Sequence, residues 1–147
     1  MAYLDLDDFK TVNDRWGHRV GDAIPRAVVT RARAHLRATD TIARVGGDEF
    51  ILLFPETDHA AVRGIIPRIH RALVAEMQRH QWPATFSIGV LTCLHAPPTA
   101  EEIIKRADEV MHSVKKNGKN GVAYAAYAGP PAGPRPTSPH HARHARG

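Results

Sequence analysis

Acidic residues are concentrated at two places in the chain, and their spacing suits the binding of a divalent cation. Asp5, Asp7 and Asp8 lie in the segment LDLDDF, and Asp48 and Glu49 follow two glycines in RVGGDEF. Asp5 and Asp7 are two residues apart, so on a β-strand both carboxylates emerge on one face. Carboxylates this close repel one another unless a cation neutralises them. The alternative is a solvated strand end at which Asp8 caps the following helix, and LDLDDF alone does not decide between the two.

The glycine pair is the second feature that indicates a cation and a phosphorylated ligand. If the turn at Gly46 and Gly47 packs beside the first strand, Asp48 approaches Asp5. Two carboxylates from adjacent strands and a backbone carbonyl suit Mg²⁺, which proteins usually hold with one or two carboxylates and substrate phosphates. A triphosphate can approach a glycine backbone closely because glycine has no Cβ. The sequence therefore predicts that the substrate lies at this turn.

Two further sets of residues have both a functional and a purely structural interpretation. Asn13 and Asp22 flank the segment WGHRVG; a carboxylate accepts two neighbouring N–H donors of guanine, and an amide matches its mixed edge. Taken alone, the pair is more typical of helix-capping residues around a turn. Lys115 and Lys119 lie in KKNGKN and can meet phosphates. Basic residues are also common at helix C-termini, where the helix dipole favours them.

The elements that must position these residues alternate between strand and helix periodicity. In order, we predict a strand over 2–7, helices over 8–16 and 20–36, strands over 41–45 and 49–54, a helix over 58–77, a strand over 85–94, a helix from the capping box of Thr99 and Glu102 to Lys116, and a strand over 122–127. This order predicts an α/β protein of the α+β sandwich type, with helices flanking a mostly antiparallel central sheet. Pro25 is expected near the start of its helix, Pro67 weakens the prediction for the third helix, and Cys93 is expected in the core.

Composition limits the classes of protein that the chain can belong to. The 147 residues predict one folded domain over 1–128 and a disordered tail over 129–147, which is rich in Pro, His and Arg. No apolar run approaches the ~20 residues of a membrane span. The net charge is +5, but Arg135, Arg143 and Arg146 lie in the tail, so residues 1–128 hold only +2 and nothing indicates nucleic-acid binding. Cys93 is the sole cysteine, which excludes an internal disulfide and fits the cytoplasm.

Four segments together resemble the GGDEF domain of diguanylate cyclases. They are DLDDFKTVNDRWGHRVGD, RVGGDEF, FSIGV and ADEVMHSVKKNGKN, and their order and spacing agree with the family across residues 2–127. The resemblance implies a fold similar to nucleotide cyclase catalytic domains. It also implies a homodimer that condenses two GTP molecules into cyclic di-GMP and releases two pyrophosphates. A module that binds cyclic di-GMP or GTP without making product is the alternative.

The resemblance also implies roles for individual residues. It implies that Asp5, Asp48 and the backbone carbonyl of Leu6 bind Mg²⁺ or Mn²⁺. It also implies that Glu49 is a second catalytic acid beside Asp48. The implied substrate contacts comprise guanine readers, phosphate contacts and the turn, namely Asn13, Asp22, Lys10, Lys115, Lys119, Gly46 and Gly47. Arg37 and Asp40 match the family's RxxD product-inhibition site, to which Arg68 is a further candidate, although a simple loop ion pair is the alternative.

The chain departs from the family pattern at several positions. Lys119 stands where arginine is usual, and His112 stands where tyrosine is common. The family begins earlier, with a helix and a D-x-L-T-x-L-x-N-R segment, whereas Met1 here directly precedes the first strand. From this start we expect a strand that frays, and therefore marginal stability and weak or no cyclase activity for the chain alone.

Overall fold

The computed structural model describes residues 1–96 and 99–129 as five strands and four helices. They are β1 (Ala2–Asp7), α1 (Phe9–Trp16), α2 (His18–Arg33), β2 (Thr41–Arg44), β3 (Glu49–Leu53), α3 (His59–Arg79), β4 (Thr85–Cys93), α4 (Ala100–Lys116) and β5 (Gly121–Tyr127). Every element predicted from the sequence is present, with bounds shifted by a few residues. Apart from residue 129, the predicted disordered tail lies outside the described residues. No helix of the described part is long and apolar enough to cross a membrane.

The sheet brings one end of each of four neighbouring strands together. The strand order is β2-β3-β1-β4-β5, and only the β4–β5 pair is parallel. Asp5 of β1 is opposite Glu49 of β3 on one side and Ser87 of β4 on the other, and Ser87 is opposite Gly121 of β5. The C-terminal end of β1 therefore lies beside the N-terminal ends of β3, β4 and β5. The predicted α+β sandwich with a mostly antiparallel sheet is confirmed.

Alternation along β1 separates the two faces of the sheet. Leu4 and Leu6 face the larger hydrophobic core, which α1, α2 and α3 cover. Tyr3 faces the smaller core with Ala107 and Met111 of α4. Side chains two residues apart on a strand share a face, so Asp5 and Asp7 are on the α4 side with Tyr3. The strand thus directs its carboxylates toward the helix that ends in Lys115 and Lys116.

A glycine in β4 lets the backbone of α4 pack directly against the backbone of the sheet. A Cβ on Gly89 would lie 2.2 Å from the Met111 nitrogen and 2.5 Å from the Ala107 carbonyl oxygen. Both are backbone atoms, so no side-chain movement relieves the clash. The absence of a side chain at Gly89 therefore sets the distance of α4, and of its C-terminal lysines, from β1.

The structure corrects several local predictions. Pro25 lies well inside α2 rather than near its start, and both α2 and α3 continue through their prolines. The Asp8 side chain does not cap α1. Cys93 is exposed rather than in the core, because it is the last residue of β4, at the end of the strand. The Thr99 side chain accepts a hydrogen bond from the Glu102 N–H, as the capping box predicts.

The first strand is central and paired on both sides. β3 pairs with β1 from Ala2 to Asp5, and β4 pairs with it from Ala2 to Asp7. Met1 extends the pairing to Leu91 through N–H···O distances of 2.8 and 2.9 Å, and Ala2 is fully buried. These contacts tie the start of the strand to its neighbours, and fraying of this strand stays a prediction.

Candidate active site

Three carboxylates converge where β1 meets the glycine turn. One oxygen each from Asp5, Asp48 and Glu49 lies within 4.8 Å of the other two. The turn is attached to β1 by a hydrogen bond of 2.9 Å from the Leu6 N–H to the Asp48 carbonyl oxygen. Hard divalent cations such as Mg²⁺ and Mn²⁺ prefer oxygen ligands in this kind of arrangement. The residues present therefore fit a divalent metal, and the predicted approach of Asp48 to Asp5 is confirmed.

The surroundings of Asp5 penalise its ionised form. Burial raises the pKa of Asp5 from 3.8 to about 6, and the neighbouring charges of Asp48 and Glu49 act in the same direction. A hydrogen bond and the charge of Lys115 partly oppose this rise. A cation bound at this cluster would favour the ionised form of Asp5.

Arg44, the last residue of β2, holds the glycine turn through two hydrogen bonds. Its guanidinium donates to the carbonyl oxygen of Gly46 at 3.1 Å and to that of Gly47 at 2.7 Å. A Cβ on Gly46 would lie 2.8 Å from Glu49 Oε2, whereas one on Gly47 would meet nothing within 4 Å. Gly46 therefore makes room for the Glu49 carboxylate. Of the two glycines, it is Gly47 that leaves open space for an approaching ligand.

Asp7 is a buried acid whose role the sequence did not predict. Its carboxylate accepts hydrogen bonds from Thr85 Oγ1 at 2.7 Å, Ser87 Oγ at 2.7 Å, the Asn120 N–H at 3.0 Å and Lys115 Nζ at 3.1 Å. Burial acts to raise the pKa of Asp7, but these hydrogen bonds together hold it below its usual value. Asp7 thus joins β1 to β4 and to the loop between α4 and β5. Its spacing from Asp5 was the sequence signal, since it placed both on one face.

Acids of the LDLDDF segment contact two lysines, Lys115 in the last turn of α4 and Lys119 in the loop that follows. Lys115 Nζ lies 2.9 Å from Asp5 Oδ1 and 3.1 Å from Asp7 Oδ1. Lys119 Nζ lies 2.7 Å from Asp8 Oδ1, and both side chains of that pair are exposed. The structure therefore places two of the three predicted phosphate contacts, Lys115 and Lys119, at the acidic end of β1. Asp8 proves to be a partner of Lys119 rather than a helix cap.

Tyr3 is a further neighbour of the acidic cluster that the sequence did not single out. It is diagonal to Glu49 on the shared face of β1 and β3, and it is buried. Burial raises the pKa of the Tyr3 hydroxyl, and a hydrogen bond to Glu49 and that group's charge add to the effect. Tyr3 therefore stays protonated beside the second acid of the turn.

The residues predicted to read guanine lie on the pair of helices that follows β1. A Cβ on Gly21 would lie 1.7 Å from Asn13 Oδ1, so the Asn13 amide occupies the space that this glycine leaves. Asp22 is the next residue of α2 and is exposed. Lys10 is exposed on α1. The packing of α1 on α2 thus brings Asn13 beside the turn of α2 that carries Asp22.

Arg37 and Asp40 form the loop ion pair that was the simpler interpretation of this motif. The Asp40 side chain is almost fully buried and accepts from the Arg37 guanidinium at 3.1 Å and from the Arg37 N–H at 2.8 Å. The guanidinium also donates to the Pro55 carbonyl oxygen at 3.2 Å and to Thr57 Oγ1. Arg37 and Arg68 line one cavity of about 280 Å³. The structure therefore brings the two candidate product-binding arginines together.

Comparison with known proteins identifies the family to which this fold belongs. A family model described as "Diguanylate cyclase, GGDEF domain" matches residues 1–121. The chain therefore belongs to the GGDEF family.

Named relatives agree with this assignment. The chain is 37% identical over 126 residues to the bifunctional diguanylate cyclase/cyclic di-GMP phosphodiesterase MucR of Pseudomonas aeruginosa, covering 84% of this chain and 18% of that protein. It is 35% identical over 124 residues to the response regulator PleD of Caulobacter vibrioides, covering 81% of this chain and 27% of that protein. The chain therefore spans less than a third of the length of these relatives.

Solved structures show the same fold. The GGDEF domain of DgcB from Caulobacter crescentus in complex with c-di-GMP superposes with a TM-score of 0.71 at 29% identity, covering 84% of this chain and 75% of that one. Diguanylate cyclase SiaD in complex with its activator SiaC from Pseudomonas aeruginosa gives a TM-score of 0.75 at 30% identity, covering 84% of this chain and 48% of that one.

Proposed function

We propose that this chain is a diguanylate cyclase module that condenses two GTP molecules into cyclic di-GMP. The observation that carries the proposal is the convergence of Asp5, Asp48 and Glu49 at a turn whose Gly47 is open to a ligand. Membership of the GGDEF family supplies the substrate class. The proposal places the reaction in the cytoplasm, where GTP and divalent cations are available.

In the proposed reaction, two chains face each other and each presents one GTP. Asn13 and Asp22 hold the guanine, and Lys10, Lys115 and Lys119 bind the phosphates. Each 3′-hydroxyl attacks the α-phosphate of the other GTP, the α–β anhydride bond breaks, pyrophosphate leaves and the hydroxyl proton passes to a base, for which Glu49 is our candidate. When bound, Mg²⁺ or Mn²⁺ supplies positive charge that neutralises the triphosphate and favours deprotonation of the hydroxyl. The dimer makes the encounter of the two substrates nearly intramolecular.

Asp48→Asn tests the site at nearly constant shape. The 147-residue chain is incubated with GTP and Mg²⁺ or Mn²⁺, and products are identified by mass. We expect cyclic di-GMP from the unmodified chain and none from the variant, because the change removes one negative charge from the cation site. Circular dichroism establishes that the variant remains folded. Undiminished turnover by the variant would refute the assignment of Asp48.

A module that binds cyclic di-GMP without making it is the second candidate. The cavity shared by Arg37 and Arg68 favours it, since guanidinium groups bind phosphate and guanine edges bidentately. The DgcB domain named above was solved in complex with c-di-GMP. Calorimetric binding of cyclic di-GMP, together with the absence of any product from GTP with either metal, would select this alternative.

A further inference from the structure

Lys115 is bound to a carboxylate that the cation site also needs. Its ammonium lies 2.9 Å from Asp5 Oδ1, and the Lys115 side chain is only 23% exposed. The same Asp5 carboxylate belongs to the cluster with Asp48 and Glu49. A lysine ammonium and a divalent cation a few ångströms apart repel each other strongly where solvent screening is weak. Lys115 and the cation therefore compete for Asp5.

A second acid remains available to Lys115 when it leaves Asp5. Asp7 Oδ1 lies 3.1 Å from the same ammonium, and Asp7 is 1% exposed and held by Thr85, Ser87 and the Asn120 N–H. These contacts leave the Asp7 carboxylate no freedom to follow a cation into the cluster. Asp7 thus keeps Lys115 beside the site without occupying the position of a metal ligand.

We infer that Lys115 is an exchangeable counter-ion that couples loading of the cation to binding of the triphosphate. Before the cation binds, Lys115 neutralises Asp5 and stabilises the acidic cluster. When the cation takes Asp5, Lys115 stays anchored on Asp7 and turns its remaining N–H donors to the triphosphate. The inference rests on the proposed function in that it takes Asp5 as a cation ligand and a nucleoside triphosphate as the second partner of Lys115. Asp7 is on this account a positioning residue, which acts through Lys115.

Opposite effects of one substitution on two ligands test the exchange. Lys115→Met removes the charge and keeps a side chain of similar length. In the absence of nucleotide, we expect the variant to bind Mn²⁺ about 5-fold more tightly than the unmodified chain, as loss of a competing ion pair allows. With saturating Mn²⁺, the variant should bind a non-hydrolysable GTP analogue more weakly. Mn²⁺ binding is followed by electron paramagnetic resonance, and nucleotide binding is followed by calorimetry.

Two variants separate exchange at Asp5 from a general effect of charge. Lys119→Met removes an equal charge from the loop that directly follows α4, but Lys119 contacts Asp8 rather than Asp5. The Mn²⁺ affinity of this variant without nucleotide should therefore change by less than half as much. Lys115→Arg keeps the charge and should keep the weaker Mn²⁺ affinity. The inference would be overturned if Lys119→Met gained as much Mn²⁺ affinity as Lys115→Met, or if Lys115→Met gained none. It would also be overturned if the unmodified chain did not bind Mn²⁺.

The position of Asp7 in the exchange is tested by a double-substitution cycle. Asp7→Asn should weaken Mn²⁺ binding when Lys115 is present, because the lysine then has no second acid. The same change should have little effect in the Lys115→Met background, a dependence that a purely structural role of Asp7 does not produce. Equal effects in both backgrounds would remove Asp7 from the exchange. These Mn²⁺ titrations contain no GTP. An unmodified chain that makes no cyclic di-GMP would therefore refute the proposed function, whereas the Mn²⁺ affinities alone would test the exchange of Lys115 at Asp5.

Discussion

Asp5→Asn is expected to stabilise the folded chain when divalent cations are absent, although it removes a ligand of the proposed active site. Burial and neighbouring acids raise the pKa of Asp5 from 3.8 to about 6. One pKa unit corresponds to about 1.4 kcal/mol. The ionised form of Asp5 therefore lowers the free energy of unfolding by up to about 3 kcal/mol at neutral pH. Asparagine avoids this penalty, and Lys115 retains Asp7 as a partner.

The pH dependence gives the sign of the effect. The folded chain binds the Asp5 proton more tightly than the unfolded chain does, so the stability that this proton contributes is fully present below pH 3.8. That contribution is lost as the pH rises through the folded pKa of about 6. The free energy of unfolding of the variant should therefore exceed that of the unmodified chain above pH 6. The difference should shrink as the pH falls toward 4.

Urea unfolding followed by circular dichroism measures this difference. Both chains are compared with a chelator present at pH 7.5 and at pH 4.5. Asp14→Asn is the control, since Asp14 is an exposed residue of α1 and its replacement should change the free energy of unfolding by less than about 0.5 kcal/mol. Added Mn²⁺ should stabilise the unmodified chain more than Asp5→Asn. An unmodified chain that equals or exceeds the variant in stability at pH 7.5 would show that burial of the ionised Asp5 carboxylate does not lower the free energy of unfolding.

Three further substitutions test other parts of the site. Asp7→Asn should lower the free energy of unfolding by about 3–5 kcal/mol, since it leaves buried donors without acceptors. Asp8→Asn breaks only an exposed ion pair and should lower it by about 1 kcal/mol or less. Similar urea midpoints for the two variants would contradict this. Asp22→Asn should weaken GTP binding in calorimetry, because an amide oxygen accepts from guanine less well than a carboxylate, and equal affinity of the unmodified chain for ATP and GTP would remove the guanine assignment. Arg37→Ala should weaken cyclic di-GMP binding by about 1.5–3 kcal/mol, and unchanged affinity would leave Arg37 as a structural ion pair with Asp40.

Local patterns in the sequence determined most of the fold and the place of the site. Alternation in β1 placed Asp5 and Asp7 on one face because side chains of a strand alternate with a period of two. The Gly-Gly turn indicated a hairpin, and Thr99 with Glu102 located the start of α4, because turns and caps depend on residues close in sequence. Pro25 lies deeper inside α2 than predicted, whereas α3 continues through Pro67 as its predicted range implied. Packing of both helices on the core outweighs the lost hydrogen bonds.

The tertiary structure alone decided what each acid of LDLDDF does. Asp5 joins the cation cluster, Asp7 is buried among donors, and Asp8 meets Lys119 at the surface. The partners of Asp7 lie 78 to 113 residues away along the chain, so no local pattern distinguishes it from its neighbours. The role of Gly89 could not be predicted from the sequence either, because its lack of a Cβ matters only where the backbone of α4 packs against it. Contacts between residues distant in sequence depend on how the elements pack, and packing is a property of the folded chain.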